Sequence, residues 1–256
     1  MLRGIYTAAS GMLSVSMAED TLANNLANVN TIGFKKNNVN FESFPEMLIN
    51  RMGKGGQQAI GGLMTGSHIQ GSYVSHTPGA LRTTGNAFDL AIEGDGFFTV
   101  KAPNGKLYYT RAGNFTLDEQ GYITTSNGDY LQGELGNIQL NLEDGKVHIN
   151  SKGELFAGPR LVDRIKIARF ADNQALEKVG DAYYQETSAS RILPPAANQG
   201  LGFRVHEGTL EESNVNPISE LINNIQGLRL YEALQKNIHI HNETLGKAVN
   251  EVGRTR

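Results

Sequence analysis

The C-terminal part of the chain carries the most regular hydrophobic pattern. Apolar residues recur there at steps of three and four, with one run of consecutive threes in the middle. This spacing predicts one long amphipathic helix whose apolar stripe forms a coiled-coil seam with a single phase shift. The stripe consists of Ile218, Leu221, Ile225, Leu228, Tyr231, Leu234, Ile238, Leu245, Ala248 and Val252, with His241 in its one gap.

The start of this helix is marked by the pair Asn216-Pro217. Asparagine is a good N-cap, and proline fits the first helical position because its missing N–H has no partner there. A helix over residues 217–252 would be about 54 Å long at 1.5 Å per residue. That length exceeds what a compact domain needs, so we expect part of the helix to contact another subunit.

The N-terminal segment carries a second helical stripe, interrupted by small residues such as Gly4 and Gly11 that permit close approach of a neighbour. An interior glycine costs about 1 kcal/mol relative to alanine, which weakens this helix. Neither terminal stripe can be buried within its own segment. The N-terminal stripe consists of Leu2, Ile5, Ala9, Met12, Val15, Ala18, Leu22, Leu26 and Val29.

The middle of the chain alternates short apolar runs with turn signals. Asn104-Gly105, Asn127-Gly128 and Asp144-Gly145 are typical hairpin turns, and runs such as Ile138–Leu142 alternate as half-buried strands do. Residues 53–66 are rich in glycine and are expected to form a mobile or partner-ordered loop. The sequence therefore predicts an α+β protein, with long terminal helices pairing as a coiled-coil-like segment around an all-β central domain, an irregular barrel or sandwich.

This pattern predicts four segments. Residues 1–34 and 211–256 are the helical assembly segments, residues 35–70 an extended Gly-rich linker, and residues 71–210 the β-rich domain. The net charge of −3 and the absence of a basic stripe argue against nucleic-acid binding. No run approaches the ~20 apolar residues of a membrane span, and the first residues lack the apolar core of a signal peptide. The chain has no cysteine, so thiolate metal sites are excluded.

Candidate chemical sites are few. His239 and His241 point about 200° apart on a helix and cannot share a metal ion there, and Glu93–Gly96 lacks the further oxygen ligands of a calcium loop. We expect no catalytic, metal or cofactor residues. The competing class is a secreted monomeric glycan-binding protein or hydrolase that stacks a sugar on the rings of Phe97, Phe98, Tyr108, Tyr109, Phe115 and Tyr122.

Four asparagines lie close together at Asn24, Asn25, Asn28 and Asn30. Asparagine is a poor helix former because its side chain competes for backbone hydrogen bonds. The cluster therefore indicates a helix end, a polar contact with a neighbouring subunit, or both. We expect both.

Four blocks, in this order, carry a family resemblance. Residues 22–35, which end in Thr31-Ile-Gly-Phe-Lys35, resemble the N-terminal signature of the flagellar basal-body rod and hook proteins. Residues 89–98 with 109–115 resemble the central block of that family, Lys178–Asp181 a further β-region block, and residues 208–216 the lead-in to its C-terminal helix. Length and the stretch after Phe41 make the chain most similar to the distal-rod type or to the rod-like hook-basal-body proteins of Gram-positive bacteria.

The resemblance implies a structural role in the flagellar basal body. Such proteins are exported through the flagellar type III apparatus without a cleaved signal, and they polymerise in a helical assembly with other rod and hook proteins. A hook-type or proximal-rod subunit is the nearer alternative. The expected subunit-interface residues are Leu22, Asn24, Asn25, Leu26, Asn28, Val29, Asn30, Gly33, Phe34, Leu221, Ile225, Leu228, Tyr231, Leu234, Ile238, Leu245 and Val252.

Overall fold

The computed structural model describes residues 2–43, 47–53, 56–63, 66–140, 147–193 and 202–252. The chain divides into two compact units. The first comprises Met1–Leu26, Asn37–Tyr73 and Asn216–Arg256, and the second comprises Ala27–Lys36 and Val74–Val215. The α+β class is confirmed, with mostly β structure between an N-terminal and a C-terminal helix.

Both terminal helices are present. Helix α1 (Leu2–Ala27) runs unbroken through Gly11. Helix α2 (Pro217–Lys247) continues into a π-helical turn, Ala248–Val252. The predicted cap is confirmed, because the Asn216 side chain accepts hydrogen bonds from the backbone N–H of Ile218 at 3.0 Å and of Ser219 at 3.3 Å.

The two helices contact each other in antiparallel order. A Cβ atom placed on Gly4 would lie 2.5 Å from the His241 ring, and one on Gly11 would lie 3.1 Å from the Leu234 side chain. Small residues on α1 therefore make room for large ones on α2. This close packing offsets the helix-propensity cost of Gly11.

Polar contacts continue the same helix pair towards the start of α2. Gly227 leaves space for the Glu19 side chain, whose carboxylate accepts a hydrogen bond from the Asn224 amide. One turn earlier on α2, Glu220 lies 3.5 Å from the Asn25 amide nitrogen. The contacts are thus polar near the start of α2, at Glu220 and Asn224, and apolar at Leu234.

Four strands follow α1. β1 (Asn37–Ser43) pairs with β4 (Ser67–Val74), and β2 (Met47–Gly53) pairs antiparallel with β3 (Gly56–Leu63). The prediction of a loop over residues 53–66 is wrong for residues 56–63, because these residues form strand β3. Glycine weakens a strand but leaves both of its backbone hydrogen-bonding groups available to a ladder. Here β2 supplies the partner along the whole length of β3.

The second unit is built of short antiparallel strands. Its largest sheet has eight strands in the order β16-β17-β8-β7-β11-β10-β9, with β15 also paired to β7. Smaller sheets join β12-β13-β14, β18-β6 and β19-β5. The strands are β5 (Leu81–Thr83), β6 (Leu90–Gly94), β7 (Phe97–Lys101), β8 (Leu107–Thr110), β9 (Phe115–Leu117), β10 (Ile123–Thr125), β11 (Tyr130–Leu131), β12 (Val147–Ile149), β13 (Glu154–Ala157), β14 (Arg160–Arg164), β15 (Ile167–Ala168), β16 (Glu177–Val179), β17 (Tyr183–Gln185), β18 (Phe203–Glu207) and β19 (Thr209–Glu211), with a 3-10 turn at Asn173–Ala175.

Two of the predicted hairpin turns are confirmed. Gly105 (φ 86°) connects β7 to β8, and Gly128 (φ 84°) connects β10 to β11. The turn predicted at Asp144-Gly145 lies outside the described residues. The strand predicted over Ile138–Leu142 is reduced, within residues 138–140, to one isolated bridge between Gln139 and Tyr122. Closure of the sheets as a barrel or sandwich stays a prediction.

The core of the second unit forms two clusters. The larger one surrounds Phe98 and Phe115, whose rings meet edge to face at 5.3 Å, and the smaller one surrounds Phe97 and Tyr184. Strand β7 lies between them, because its residues from Phe97 to Val100 are all buried. A strand buried on both faces carries a continuous apolar run rather than an alternating one.

Candidate functional site

The asparagine-rich segment ends α1 and reverses the chain. The Asn28 carbonyl accepts from the Thr31 N–H at 3.1 Å, and the Asn28 side-chain oxygen accepts from the Thr31 hydroxyl at 2.9 Å. Gly33 follows at φ 68°, where a Cβ would collide with the backbone of Ala112. Only glycine fits both the conformation and the space. The helix-end interpretation of this segment is therefore confirmed.

Asn25 makes its contacts inside the chain. The side chain is fully buried, its oxygen accepts from the Asn37 N–H at 2.9 Å, and its amide donates to the Asn37 carbonyl at 2.8 Å. The same amide faces Glu220 of α2. Asn25 thus binds the first residue of β1 and the first turn of α2 to α1. A buried amide that makes these bonds specifies one arrangement of the elements around it.

Lys35, Arg111 and Glu211 form a buried charge cluster in the second unit. The Lys35 ammonium lies 2.5 Å and the Arg111 guanidinium 3.3 Å from the Glu211 carboxylate, and each of the three is less than a tenth exposed. Glu211 Oε1 also accepts from the Gly79 N–H at 3.0 Å. A buried charge needs such partners, because desolvation without them costs several kcal/mol.

Backbone carbonyls accept further hydrogen bonds from the cluster, while the Arg111 Nε is buried without a partner among the described residues. Lys35 donates to the Thr77 carbonyl at 2.9 Å, and Arg111 donates to the carbonyls of Ile92 at 3.0 Å and Gly94 at 2.6 Å. Burial lowers the pKa of Lys35, and the adjacent Glu211 opposes that shift. The cluster therefore binds the end of the N-terminal signature to β6 and β19.

Two further titratable groups surround the cluster. The Lys178 ammonium lies 3.9 Å from the centroid of the Phe34 ring, and burial lowers the pKa of Lys178 to about 8. The imidazole of His76 packs against Phe97 and Tyr184, and its pKa falls to about 4, through burial first and then through the positive charge of Lys35.

All four blocks of the family resemblance meet around Glu211. Gly33 donates to the Glu211 carbonyl at 2.8 Å, the Asn214 side chain accepts from the Lys36 N–H at 2.8 Å, and Lys178 donates to the Lys35 carbonyl at 3.1 Å. The sequence analysis did not predict this cluster. Its only signal was that Lys35, Arg111 and Glu211 each lie inside a block of the family resemblance.

Asn30 lies at a different place, in a polar cleft of the second unit of about 510 Å³. Asn114, Ser126 and Asp181 also line this cleft. These side chains offer hydroxyl, amide and carboxylate groups to a polar neighbour.

The predicted interface residues fall into three groups by exposure. Several are already buried or half-buried by their own chain, while a group on α2 stays between 38% and 52% exposed: Leu221, Ile225, Leu228 and Tyr231. Asn24 and Asn30 are also exposed. The buried ones are Asn25, Asn28, Gly33 and Phe34, and the half-buried ones Leu22, Leu26, Val29, Leu234, Ile238 and Leu245. The side chain of Val252 lies outside the described residues.

The structure offers little to the competing enzyme or glycan-binding class. Four of the six aromatic residues proposed to stack on a sugar are buried in the core: Phe97, Phe98, Tyr109 and Phe115. In the described ranges, no three histidine, aspartate or glutamate side chains lie close enough together to hold a metal ion. None of the described helices is long and apolar enough to cross a membrane.

Long terminal helices on either side of a β-rich middle, with apolar residues of α2 left exposed, are typical of a subunit of a larger assembly. Three family models match the chain, described as flagella basal body rod protein (residues 5–35), flagellar hook protein FlgE/F/G D1 domain (91–157) and flagellar basal body rod FlgEFG protein C-terminal (206–251). The matched segments contain α1 with its turn, most of the β unit, and α2.

Full-length relatives agree with these matches. The flagellar basal-body rod protein FlgG of Bacillus subtilis is 34% identical, over 98% of this chain and 99% of its own length. FlgG of Buchnera aphidicola (subspecies Acyrthosiphon pisum) is 32% identical over 96% of this chain and 98% of its own length. FlgF of Caulobacter vibrioides is 30% identical over 99% of both chains.

The chain belongs to the flagellar basal-body rod proteins. It is a structural subunit of the flagellar basal body and not an enzyme.

Proposed function

We propose that this chain is a distal-rod-type subunit that polymerises with copies of itself into the axial drive shaft between motor and hook. The observation that carries the proposal is the 34% identity to a FlgG protein over nearly the whole of both chains. The relatives are named rod proteins, and a rod is an open assembly built from repeated, non-closing contacts.

The helix pair supplies the physical basis. The contacts of α1 with α2 recur about every two turns, at Gly4, Gly11, Glu19 and Asn25, and in reverse order at His241, Leu234, Gly227 and Glu220. We infer an antiparallel coiled-coil-like pair from this heptad spacing. Much of the apolar surface of α2 remains exposed beside the pair, so further helices are needed to cover it.

The four-segment division of the chain remains part of this proposal, with one refinement. In the isolated chain, residues 27–36 and 211–215 group with the β unit. We therefore infer that the helical assembly segments are shorter than residues 1–34 and 211–256. The Lys35–Glu211 ion pair supports this placement.

We also propose that the flagellar type III apparatus exports the chain without cleavage, and that other rod and hook proteins are its axial neighbours. The mass of the subunit in purified basal bodies tests the export route. A chain that starts at or next to Met1 is the expected result, and loss of twenty or more N-terminal residues would contradict uncleaved export.

A proximal-rod subunit is the second candidate, because identity to FlgF of Caulobacter vibrioides is 30% over 99% of both chains. Gold labelling of an epitope-tagged chain in purified basal bodies separates the two positions. Label next to the hook supports the distal assignment, and label next to the motor end supports the proximal one. Normal motility after deletion of the gene, with the tagged chain found only as a monomer, would overturn the rod function.

A further inference from the structure

The β unit ends with a segment that pairs with its first strands. Residues 203–215, which we call the closing segment, contain β18 and β19. Strand β18 forms a two-stranded sheet with β6, and β19 forms one with β5. Among the described strands, β5 and β6 have no other ladder partner, so both lie unpaired until the closing segment binds.

Apolar side chains of the closing segment complete the larger core cluster. Val205 is buried as a member of that cluster, and the half-buried Phe203 packs against it. Leu210 and Val215 are also buried. Burial of apolar surface is the dominant favourable term in folding, so a β unit without these side chains loses part of its driving force.

The closing segment also supplies hydrogen-bond acceptors to distant parts of the β unit. The Gly208 carbonyl accepts from the Thr84 N–H at 2.7 Å, next to β5. The Glu207 carboxylate accepts from the Ile149 N–H at 3.0 Å, in β12. The segment therefore joins strands that lie far apart in the chain.

The buried charge cluster takes its negative charge from the closing segment. Lys35 and Arg111 lie outside the segment, and Glu211, whose carboxylate both of them contact, lies within it. Lys35 and Glu211 are 176 positions apart in the chain. A β unit that formed without the segment would bury Lys35 and Arg111 together without the charge of Glu211. Burying unpaired charges is strongly unfavourable, so the cluster opposes any closed structure that lacks the segment.

We propose that the closing segment is a latch: the β unit stays open until residues 203–215 bind, and the pairing of Glu211 with Lys35 and Arg111 completes the closed structure. Because a chain is synthesised from its N-terminus, this segment is the last part of the β unit to appear. The role of the latch in the cell rests on the proposed function, specifically on export. A β unit that stays open for most of its synthesis leaves the chain unfolded while the export apparatus takes it up.

Cutting the full chain in front of the closing segment tests the latch. A recognition site for a specific protease is inserted between residues 197 and 198, the folded chain is cleaved, and the two fragments are separated in urea. The N-terminal fragment is then returned to buffer, either alone or with the C-terminal fragment. Hydrogen exchange of the backbone amides of β7 and β8 reports on the β unit separately from any pairing of α1 with α2.

We expect slow exchange from the mixed fragments and fast exchange from the N-terminal fragment alone. A C-terminal fragment with Glu211→Gln should bind at least about 100-fold more weakly than the natural fragment. The control fragment with Glu212→Gln should bind within about fivefold of it. Slow exchange from the N-terminal fragment alone, or equal affinity of the two variant fragments, would overturn the proposal.

The uncleaved chain supplies a second measurement that does not require fragments to refold. In full-length Glu211→Gln, we expect faster exchange in β7 and β8 as well as in β18 and β19, because the whole unit opens when the latch opens. Full-length Glu212→Gln should exchange as the natural chain does. Faster exchange confined to β18 and β19 would overturn the latch and leave the rod function intact, since gold labelling of basal bodies tests that function separately.

Discussion

The two units of this protein place charge and apolar surface in opposite ways. Among the charged side chains that the β unit buries, Lys35, Arg111 and Glu211 form ion pairs with one another. The helical unit buries almost no large apolar residue of α2 and exposes a row of them instead. The β unit thus pairs this cluster within the chain, whereas the helical unit leaves apolar surface on α2 exposed.

The difference shows what each unit is built to do. A buried ion cluster contributes little net stability, but it tolerates only one arrangement of the strands and turns that meet at it. An exposed apolar strip on a helix gains stability only when a partner covers it. The β unit therefore holds its own strands and turns in one arrangement, and we propose that the helical unit gains stability on assembly.

The largest expected effect comes from removing the carboxylate at the centre of the cluster. Glu211→Gln leaves Lys35 and Arg111 buried without their counter-charge, and we expect a loss of about 3–5 kcal/mol of unfolding free energy. Urea unfolding followed by tyrosine fluorescence measures it, because most of the tyrosines lie in the β unit.

The adjacent Glu212 provides the matched control. It pairs with Arg82 at 2.8 Å on the surface, where both side chains are about half exposed. Glu212→Gln should cost less than about 1 kcal/mol. Equal losses from Glu211→Gln and Glu212→Gln would show that the β unit does not depend on its buried charges.

A smaller effect is expected from pH. In the unfolded chain, His76 takes up a proton near its ordinary pKa of 6.5. In the folded chain, burial lowers the pKa of His76 to about 4. The unfolded state binds more protons between those values, so the stability of the β unit should fall as pH drops from about 6.5 to about 4. His76→Phe retains the ring contacts and should make this fall shallower. An unchanged pH profile in the variant would assign the fall to other groups.

The smallest effect concerns the helix pair. Burial raises the pKa of Glu19, so the charged form is disfavoured in the folded chain above pH 4.5. Glu19→Gln should stabilise the helical unit by less than about 1 kcal/mol at pH 7, and the gain should disappear below pH 4.5. Thermal unfolding followed by circular dichroism at 222 nm at both pH values measures it. A stability loss at pH 7 would mean that the contact with Asn224 requires the charge.

Local signals in the sequence were enough to predict the helices, the Asn216 cap and two hairpin turns. Each of these depends on neighbouring residues only, such as a cap and its first turn, or a glycine with positive φ between two strands. The strand over Gly56–Leu63 was missed because its stability comes from pairing with β2, which composition does not reveal. Glycine content alone favoured a loop there.

The charge cluster and the two stripes of α2 were missed for a related reason. Lys35, Arg111 and Glu211 are far apart in the chain, and only the folded β unit brings them together. One stripe of α2 contacts α1 through Glu220, Asn224 and Gly227. The other stripe, Leu221, Ile225 and Leu228, lies one position away and is exposed, so periodicity merged the two into one seam with a phase shift. Deciding which face meets α1 required the contacts of Gly11 and Gly227.

The exposed apolar residues in the first three turns of α2 are Ile218, Leu221, Ile222, Ile225 and Leu228, which we call the α2 strip. The claim that assembly covers the α2 strip is tested most directly by Ile225→Asp, compared with Ile240→Asp. Both isoleucines are about half exposed on α2, but Ile240 lies outside the α2 strip, in the part of the helix that carries most of its charged residues. Each variant is expressed in place of the natural chain, and the subunit recovered in basal bodies is quantified beside the melting curve of the purified monomer. We expect the monomers of both variants to melt as the natural chain does. Recovery of Ile225→Asp in basal bodies should fall by a factor of about ten or more, whereas recovery of Ile240→Asp should stay near normal. Normal recovery of Ile225→Asp, or equal loss for both variants, would contradict the account.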